Sequence, residues 1–186
     1  MTSLYGNDPI WDYNIAQDIQ DLYSPPKGFQ PVCNTISGII YNNPEFSIYK
    51  FLLEKSGLIK DYDDLQENCT LLIVSDENIR RNYNNTFNEN TFLNMSRLTA
   101  RELLLYNTLP GKINYNALTS SPIARLMTKI DNFAYSTLFL KLYGNDYVLN
   151  NISRILDNEI IACNGIIHQI SNLLIPETMQ GVIINK

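Results

Sequence analysis

The residues that could carry out covalent chemistry in this chain are few and far apart. The sequence holds a single histidine, His168, and three cysteines, Cys33, Cys69 and Cys163. A thiol beside an imidazole can act as a nucleophile, and His168 follows Cys163 by five residues. An odd spacing along a regular strand places two side chains on opposite faces of the sheet. We therefore do not expect this pair to form, and we predict that the chain is not an enzyme.

Metal and phosphate sites are not predicted either. A zinc site needs several convergent ligands, which one histidine and scattered cysteines do not supply at a familiar spacing. The acidic run Asp61-Tyr62-Asp63-Asp64 lacks the glycine of a calcium loop, and Leu72 stands where the loop needs glutamate. This run is interpreted as the solvated start of a helix. Gly111-Lys112 lacks the earlier glycine of a phosphate-binding loop. No cofactor is therefore expected.

Charge and hydropathy narrow the class of partner. Fourteen basic and nineteen acidic residues give a net charge of -5, and 45% of the residues are apolar. Such a chain can bury a sizeable core, but it has no basic patch for nucleic acid. No stretch approaches the ~18 apolar residues of a membrane span. We expect a protein partner, without nucleic acid or a membrane span.

The cellular location is predicted from the N-terminus and the cysteines. The first residues lack the basic and apolar regions of a signal peptide. Three widely spaced cysteines are then expected to be buried free thiols in a reducing compartment. These features favour an intracellular or virion-associated protein over a secreted one.

The stretch from Asn164 to Pro176 is expected to close the domain. Asn164-Gly165 separates two apolar runs, which is a strong hairpin signal because both residues tolerate positive φ in a tight turn. The second strand carries His168, which we predict to be a buried imidazole hydrogen-bonded to a backbone or polar side-chain group. Pro176 would then end the strand, because proline cannot donate to the ladder.

Elements before this hairpin are predicted from periodicity and from capping residues. Thr35 or Asn34 can cap a first helix, Ser75 a later one that begins at Asp76, and Thr99 to Glu102 form a capping box. Later runs rich in aromatic and branched residues indicate strands. The predicted strands cover residues 125–130, 133–143, 147–151 and 160–163. Helices followed by antiparallel strands favour an α+β domain.

The N-terminal residues form a separate unit in this interpretation. Residues 1–31 are predicted to be a helical arm with a proline-rich connector, residues 32–178 the domain, and residues 179–186 a short tail. An apolar stripe lies on one face of the predicted helix, and it comprises Trp11, Ile15, Ile19 and Leu22. The arm either packs against its own core or docks onto a neighbouring subunit, which would give self-association.

Four segments, in order, resemble the fasciclin-like adhesion domain family. Residues 46–58 resemble its opening helix, residues 70–79 its first conserved motif, residues 103–111 its Tyr-His and Pro-Gly segment, and residues 164–176 its second conserved motif. The resemblance implies a wedge-shaped β-sandwich of short, mostly antiparallel strands flanked by several α-helices. One copy of the domain is visible in the sequence.

The resemblance also implies a function and a set of residues. It implies a non-enzymatic protein–protein interaction or adhesion module. Tyr106 matches the tyrosine of the family's adhesion-associated Tyr-His pair, and Asn107 replaces the histidine. Glu159 and Ile160 occupy the place of an Asp-Ile pair that some relatives use for integrin recognition. These four residues are possible partner-binding residues; alternatively, the first two brace a loop and the last two begin a strand.

Eight further residues match structural positions of the family motifs. They are Asp76, Pro110, Gly111, Asn150, Asn164, Gly165, His168 and Pro176. A second function remains open beside adhesion. The same fold could serve an intracellular structural or assembly protein, for example a virion component of a large DNA virus, with the N-terminal arm as its tether. The missing signal peptide favours this alternative.

Overall fold

Helices precede most of the strands, as the sequence predicts. The computed structural model describes residues 34–83, 94–130, 137–177 and 179. The N-terminal arm, Cys33 and the first four residues of the predicted strand 133–143 lie outside these residues. The described elements in chain order are α1 (Ile36–Asn42), a 3₁₀ turn (Pro44–Phe46), α2 (Ser47–Ser56), β1 (Cys69–Ile73), α3 (Asp76–Tyr83), α4 (Arg97–Tyr106), β2 (Thr108–Pro110), α5 (Tyr115–Leu118), β3 (Ile123–Met127), β4 (Thr137–Tyr143), β5 (Asp146–Leu149), β6 (Ser153–Ala162) and β7 (Gly165–Ile170).

The first two helices begin and end at the residues that local signals indicate. The Thr35 side chain accepts a hydrogen bond from the Gly38 amide at the start of α1. Asn43 does the same for the Glu45 amide before α2. Gly57 has a φ of 74° and ends α2 in the left-handed conformation, which glycine adopts without a steric penalty.

Helix α4 begins earlier than predicted. The capping box at Thr99 to Glu102 is wrong, because Ser96 is the cap and its Oγ accepts from the Thr99 amide at 3.1 Å. Serine and threonine are both favourable N-cap residues, and here the earlier of the two, Ser96, caps the helix.

The acidic run at residues 61–64 does not start a helix. It forms a turn in which Tyr62 is only 3% exposed. The Tyr62 hydroxyl hydrogen-bonds the Thr108 hydroxyl at 2.5 Å. The buried Tyr62 ring therefore holds this segment against the core. The predicted solvated start of a helix is wrong.

Within the part of the chain that the structure describes, seven strands follow the order β2-β1-β7-β6-β5-β4-β3. Among these strands only β1 and β7 pair in parallel, and the other neighbours are antiparallel, which confirms a mostly antiparallel α+β fold. Strand β6 joins the two halves of the sheet, because its first residues pair with β5 and its later ones with β7.

Strand β6 is longer than the sequence predicts. It contains ten residues, of which the pattern indicates only those from Ile160 onward. The earlier part includes three consecutive exposed polar residues, Asp157, Asn158 and Glu159, and its pairing with β7 shifts register between Ile155 and Glu159. A register shift interrupts the alternation on which strand prediction depends.

The two ends of the strand order meet. The Lys129 amide, just after β3, donates to the Thr108 carbonyl of β2 at 2.8 Å. This hydrogen bond connects the first strand of the order, β2, to the end of the last, β3.

The core lies between the β1–β7 part of the sheet and the helices. All five residues of β1 are buried, and all except Thr70 are apolar, as expected of a strand that is covered on both faces. Met179 is also in the core, at 3% exposure, so the core extends into the segment predicted to be a tail. The largest fully buried side chains include Tyr49, Phe46, Ile36, Leu52, Leu71, Leu72 and Leu103.

Candidate functional site

The side chain of Asn164 connects three parts of the fold. It is fully buried, and its Oδ1 accepts from the Ile36 amide at 2.9 Å. Its Nδ2 donates to the Tyr62 and Asp64 carbonyls at 2.9 and 3.0 Å. The amide of Cys69 donates to the Asn164 carbonyl. One asparagine therefore joins the β6–β7 turn to the start of α1, the 61–64 turn and β1.

Gly165 is required for space, not for a turn conformation. Ala162 pairs with Gly165, so the two-residue turn consists of Cys163 and Asn164. None of the turn residues has a positive φ, and the predicted positive-φ Asn-Gly turn is wrong. A Cβ on Gly165 would lie 2.3 Å from the Cys69 carbonyl oxygen and 2.5 Å from Ile36 Cδ1. The hairpin itself is confirmed.

His168 is buried and bonded to the backbone. Its exposure is 0%, and Nε2 lies 2.7 Å from the Ile113 carbonyl oxygen. Its Nδ1 lies 3.9 Å from Glu159 Oε2, and the same oxygen accepts from the Tyr115 amide at 2.5 Å. Both side chains thus hold the start of α5 against the sheet. Cys163 is exposed in the turn, so His168 and Cys163 do not form a thiol–imidazole pair.

Tyr106 and Asn107 both make hydrogen bonds inside the domain. Asn107 is 1% exposed, and its Nδ2 donates to the Leu103 and Leu174 carbonyls, each at 2.8 Å. The Tyr106 hydroxyl accepts from Asn150 Nδ2 at 3.0 Å. This geometry matches the loop-bracing alternative for the pair.

Asn150 secures the turn between β5 and β6. It adopts a φ of 50°, a conformation that asparagine tolerates better than most residues. Its amide donates to the Phe139 carbonyl at 2.7 Å, and its Oδ1 accepts from the Phe139 amide at 2.8 Å.

Asp76 caps a neighbouring helix. Its carboxylate is 4% exposed and accepts from the Ser47 and Ile48 amides at 3.1 and 3.0 Å and from the Ser47 hydroxyl. These amides begin α2, where a negative charge is favourable. Ser75 accepts from the Asn78 amide at the start of α3, as predicted.

Three of the family-motif residues, Pro110, Gly111 and Pro176, lie at different places in the fold and do not share one site. Pro110 is exposed at the end of β2, and Gly111 turns the chain with a φ of 82°. The Thr70 hydroxyl donates to the Gly111 carbonyl at 2.7 Å. Pro176 is buried, but β7 already ends at Ile170. Pro176 therefore does not end that strand.

A different surface presents apolar groups to solvent. We call it the outer face, and it comprises Ile123, Arg125, Met127, Phe139, Lys141 and Tyr143. Its apolar members are exposed by 65% for Ile123, 54% for Met127, 51% for Phe139 and 45% for Tyr143. Leu138 and Leu140 of the same hairpin point the other way and are fully buried. Strand β4 is therefore apolar on both sides.

Cations are interleaved with these apolar groups. Arg125 pairs with Phe139 across β3 and β4, and its guanidinium carbon lies 5.0 Å from the Phe139 ring centre. Lys141 Nζ lies 4.8 Å from the Tyr143 ring centre. Both distances are within the range of cation–π attraction. The outer face is thus an ordered, cationic and aromatic surface.

Comparison with known proteins identifies the family. The model of the Fasciclin domain matches residues 44–176. The chain belongs to the fasciclin family. Fasciclin domains are in general non-enzymatic modules for protein interaction and adhesion.

The fold of this fasciclin domain has a solved relative. The structure of a FAS1 domain pair from the insect cell adhesion molecule fasciclin I matches with a TM-score of 0.58 at 16% sequence identity. The match covers 83% of this chain and 53% of that chain, so this protein spans about half its length. No curated protein matches the sequence. Among the helices described, none has the length and apolarity needed to cross a membrane.

A cleft of about 230 Å³ lies beside β1 in this fasciclin domain. Asp61, Glu67, Arg101 and Lys129 contribute charged groups to its wall, and Cys69 also lines it. Lys129 pairs with Glu67 at 3.2 Å. Within the described ranges, no cluster of three or more His, Cys, Asp or Glu residues has the arrangement of a metal site.

Burial controls the chemistry of this cleft. It raises the pKa of the Cys69 thiol to about 11, and it also raises the pKa of the Asp61 carboxyl. A thiol with a raised pKa is protonated at neutral pH and is a poor nucleophile. Cys69 is therefore a structural residue.

The two described thiols should react at very different rates. Cys163 is exposed, contrary to the expectation that all the cysteines are buried, whereas Cys69 is buried. At pH 7.5, iodoacetamide should modify Cys163 at least tenfold faster than Cys69, because the Cys69 thiol is buried and remains protonated, whereas the reagent reaches the exposed Cys163. Peptide mass spectrometry of the native protein measures both rates, and denatured protein is the control. Equal rates in the native protein would contradict the buried position of Cys69.

Proposed function

We propose that this fasciclin domain is a non-catalytic interaction module that binds a protein partner through its outer face. The proposal rests on one observation: four large apolar side chains of the outer face are exposed, and they surround Arg125 and Lys141, which make cation–π contacts with Phe139 and Tyr143. Phenylalanine, tyrosine, methionine and arginine are the residues enriched in protein interfaces. A contiguous exposed patch of this kind is typical of an interaction site.

The four residues first considered for partner binding are less suitable. Tyr106 and Asn107 are 6% and 1% exposed. The Glu159 carboxylate accepts from the Tyr115 amide, and Ile160 packs against the core. Their main contribution is to hold the fold, which leaves the outer face as the better surface for a partner.

Site-specific photocrosslinking tests the proposal. A benzoylphenylalanine at position 139, introduced in the cells that make the protein, should give one predominant covalent adduct with a protein. Ile161 is a matched control, because it is 75% exposed but lies outside the outer face. Arg125→Glu in the position-139 protein should reduce the adduct at least fivefold without changing the melting temperature.

The outcome also separates adhesion from assembly. An adduct with a cell-surface protein would support an adhesion module, and an adduct with a structural component or another copy would support an assembly protein. Equal adducts from positions 139 and 161, or none from position 139, would contradict the proposed function.

A further inference from the structure

We propose that the outer face binds an acidic segment of a different protein, with one carboxylate against Arg125 and another against Lys141. The inference rests on the proposed function and names the chemistry of the partner. It follows from the arrangement of the outer face, in which cations alternate with exposed apolar groups. A partner that covers the apolar groups must therefore cover the cations as well.

The cations and the apolar groups form a checkerboard on the β3–β4 hairpin. On β3, Arg125 lies between Ile123 and Met127, and alternate residues of a strand share one side of the sheet. Cross-strand pairing places Phe139 opposite Arg125 and Lys141 opposite Ile123. Each cation thus has apolar neighbours both along its own strand and across the hairpin.

Neither cation has an anionic partner within the domain. Among the residues that the structure describes, no carboxylate forms an ion pair with Arg125 or Lys141, and each cation lies over an aromatic ring. In the free protein, water solvates these charges. A partner that displaced this water without supplying an anion would leave a buried, uncompensated charge, which is strongly unfavourable. The surface that covers the outer face must therefore carry carboxylates.

The register of the hairpin determines the spacing of those carboxylates. Arg125 and Lys141 lie on adjacent antiparallel strands and are offset by two residues, and such diagonal neighbours are about 7–8 Å apart. In an extended segment, two acidic residues with one residue between them point to the same side and lie about 7 Å apart. A segment in which two acidic residues alternate with other residues, with apolar groups beside them, therefore matches the outer face.

A second copy of this chain is a less suitable occupant. Homodimers most often pair identical surfaces, but the six residues of the outer face include two cations and no aspartate or glutamate. Two outer faces in contact would bring like charges together without an anion between them, which costs free energy. The charge of the face therefore favours a different protein.

Carbodiimide coupling tests the chemistry of the partner, because it joins an amine to a carboxylate only where the two are in contact. The complex is isolated from the cells that make the full-length chain and is then treated with a water-soluble carbodiimide. Lys141 Nζ should form an amide with an aspartate or glutamate of the protein that the position-139 adduct identifies. Arg125→Lys should add a second amide, to an acidic residue within about four residues of the first. Peptide mass spectrometry locates both amides.

Charge substitutions measure how much the carboxylates contribute to binding. Lys141→Glu in the position-139 protein should reduce the adduct at least fivefold more than Lys141→Arg does, because arginine keeps the positive charge. Lys60 is the matched control, since it is exposed and is not part of the outer face. It should form no amide with the partner, and Lys60→Glu should leave the adduct unchanged. All variants should melt within about 2 °C of the wild type, because surface substitutions cost little stability.

Failure of this inference differs from failure of the proposed function. If position 139 gives a protein adduct but Lys141 forms no amide, or the adduct survives Lys141→Glu, the acidic partner is refuted and the interaction module is retained. An adduct with a second copy of the chain has the same meaning. An adduct with lipid or nucleic acid, or no adduct specific to position 139, would refute both.

Discussion

Gly165→Ala should reduce the free energy of unfolding by about 3 kcal/mol or more, because overpacking against the backbone cannot relax locally. The new Cβ would lie 2.3 Å from the Cys69 carbonyl oxygen and 2.5 Å from Ile36 Cδ1. The Ile36 side chain can rotate, but Cys69 is paired with Gly165 across the parallel β1–β7 ladder. Strands β1 and β7 must separate to admit the methyl group. Urea denaturation followed by circular dichroism measures the loss.

Gly144→Ala is the matched control for this substitution. Gly144 has a φ of 61° and nothing within 4 Å of an added Cβ, so alanine there meets only the conformational penalty of about 1 kcal/mol. Equal losses at the two positions would show that the space around Gly165 does not limit stability.

Asn164→Ala should cost about 2 to 4 kcal/mol, because it leaves buried polar groups without partners. The Ile36 amide would lose its acceptor, and the Tyr62 and Asp64 carbonyls would lose their donor. Thermal and urea unfolding measure this change. Asn114→Ala provides the comparison, since Asn114 accepts one bond from the Ala117 amide at an exposed helix start, and its loss should cost about 1 kcal/mol.

Asn164→Asp refines the same prediction. An aspartate would keep the acceptor for the Ile36 amide, but its charge would face the Tyr62 and Asp64 carbonyl oxygens. Burial and these oxygens would raise the pKa of the new carboxyl in the folded state above the ~3.9 of the unfolded chain. The penalty is then greatest at pH 7 and decreases as the pH falls and the carboxyl becomes a donor. A loss independent of pH would contradict this account.

Features that depend on neighbouring residues were predictable from the sequence. The cap at Thr35, the left-handed Gly57, the buried strand β1 and the location of the β6–β7 hairpin each follow from a few adjacent residues. The resemblance to the family added the order of these elements. The local signals and the family resemblance together predicted the α+β fold.

Features that depend on distant partners were not predictable in the same way. Asp76 stands in the first turn of its own helix, yet it caps α2 through amides 28 and 29 residues earlier. Asn107 binds Leu174, 67 residues away. No local spacing encodes these contacts. The Asn164-Gly165 pair predicted the hairpin correctly, but the two residues are needed for a different reason. Asn164 hydrogen-bonds the backbone of Ile36 and Tyr62, and Gly165 leaves room for the Cys69 carbonyl.

The outer face was also missed by the sequence interpretation. A strand with one buried side alternates apolar and polar residues, whereas β4 places Leu138 and Leu140 inside and Phe139 outside. An apolar run of this kind also fits a strand buried on both sides. Only the folded structure, in which Phe139 is 51% exposed while Leu138 and Leu140 are buried, shows that the second side of the hairpin is open.

The shared strand β6 determines how the domain would carry tension. The chain enters beside one end of β6, at Asn34 and Cys163, and the outer face is attached near the other end. A pulling force between these points runs along β6, so the hydrogen bonds of its ladder with β7 are loaded together in shear. They are not opened one after another. The register shift between Ile155 and Glu159 interrupts that ladder and is where mechanical rupture would begin.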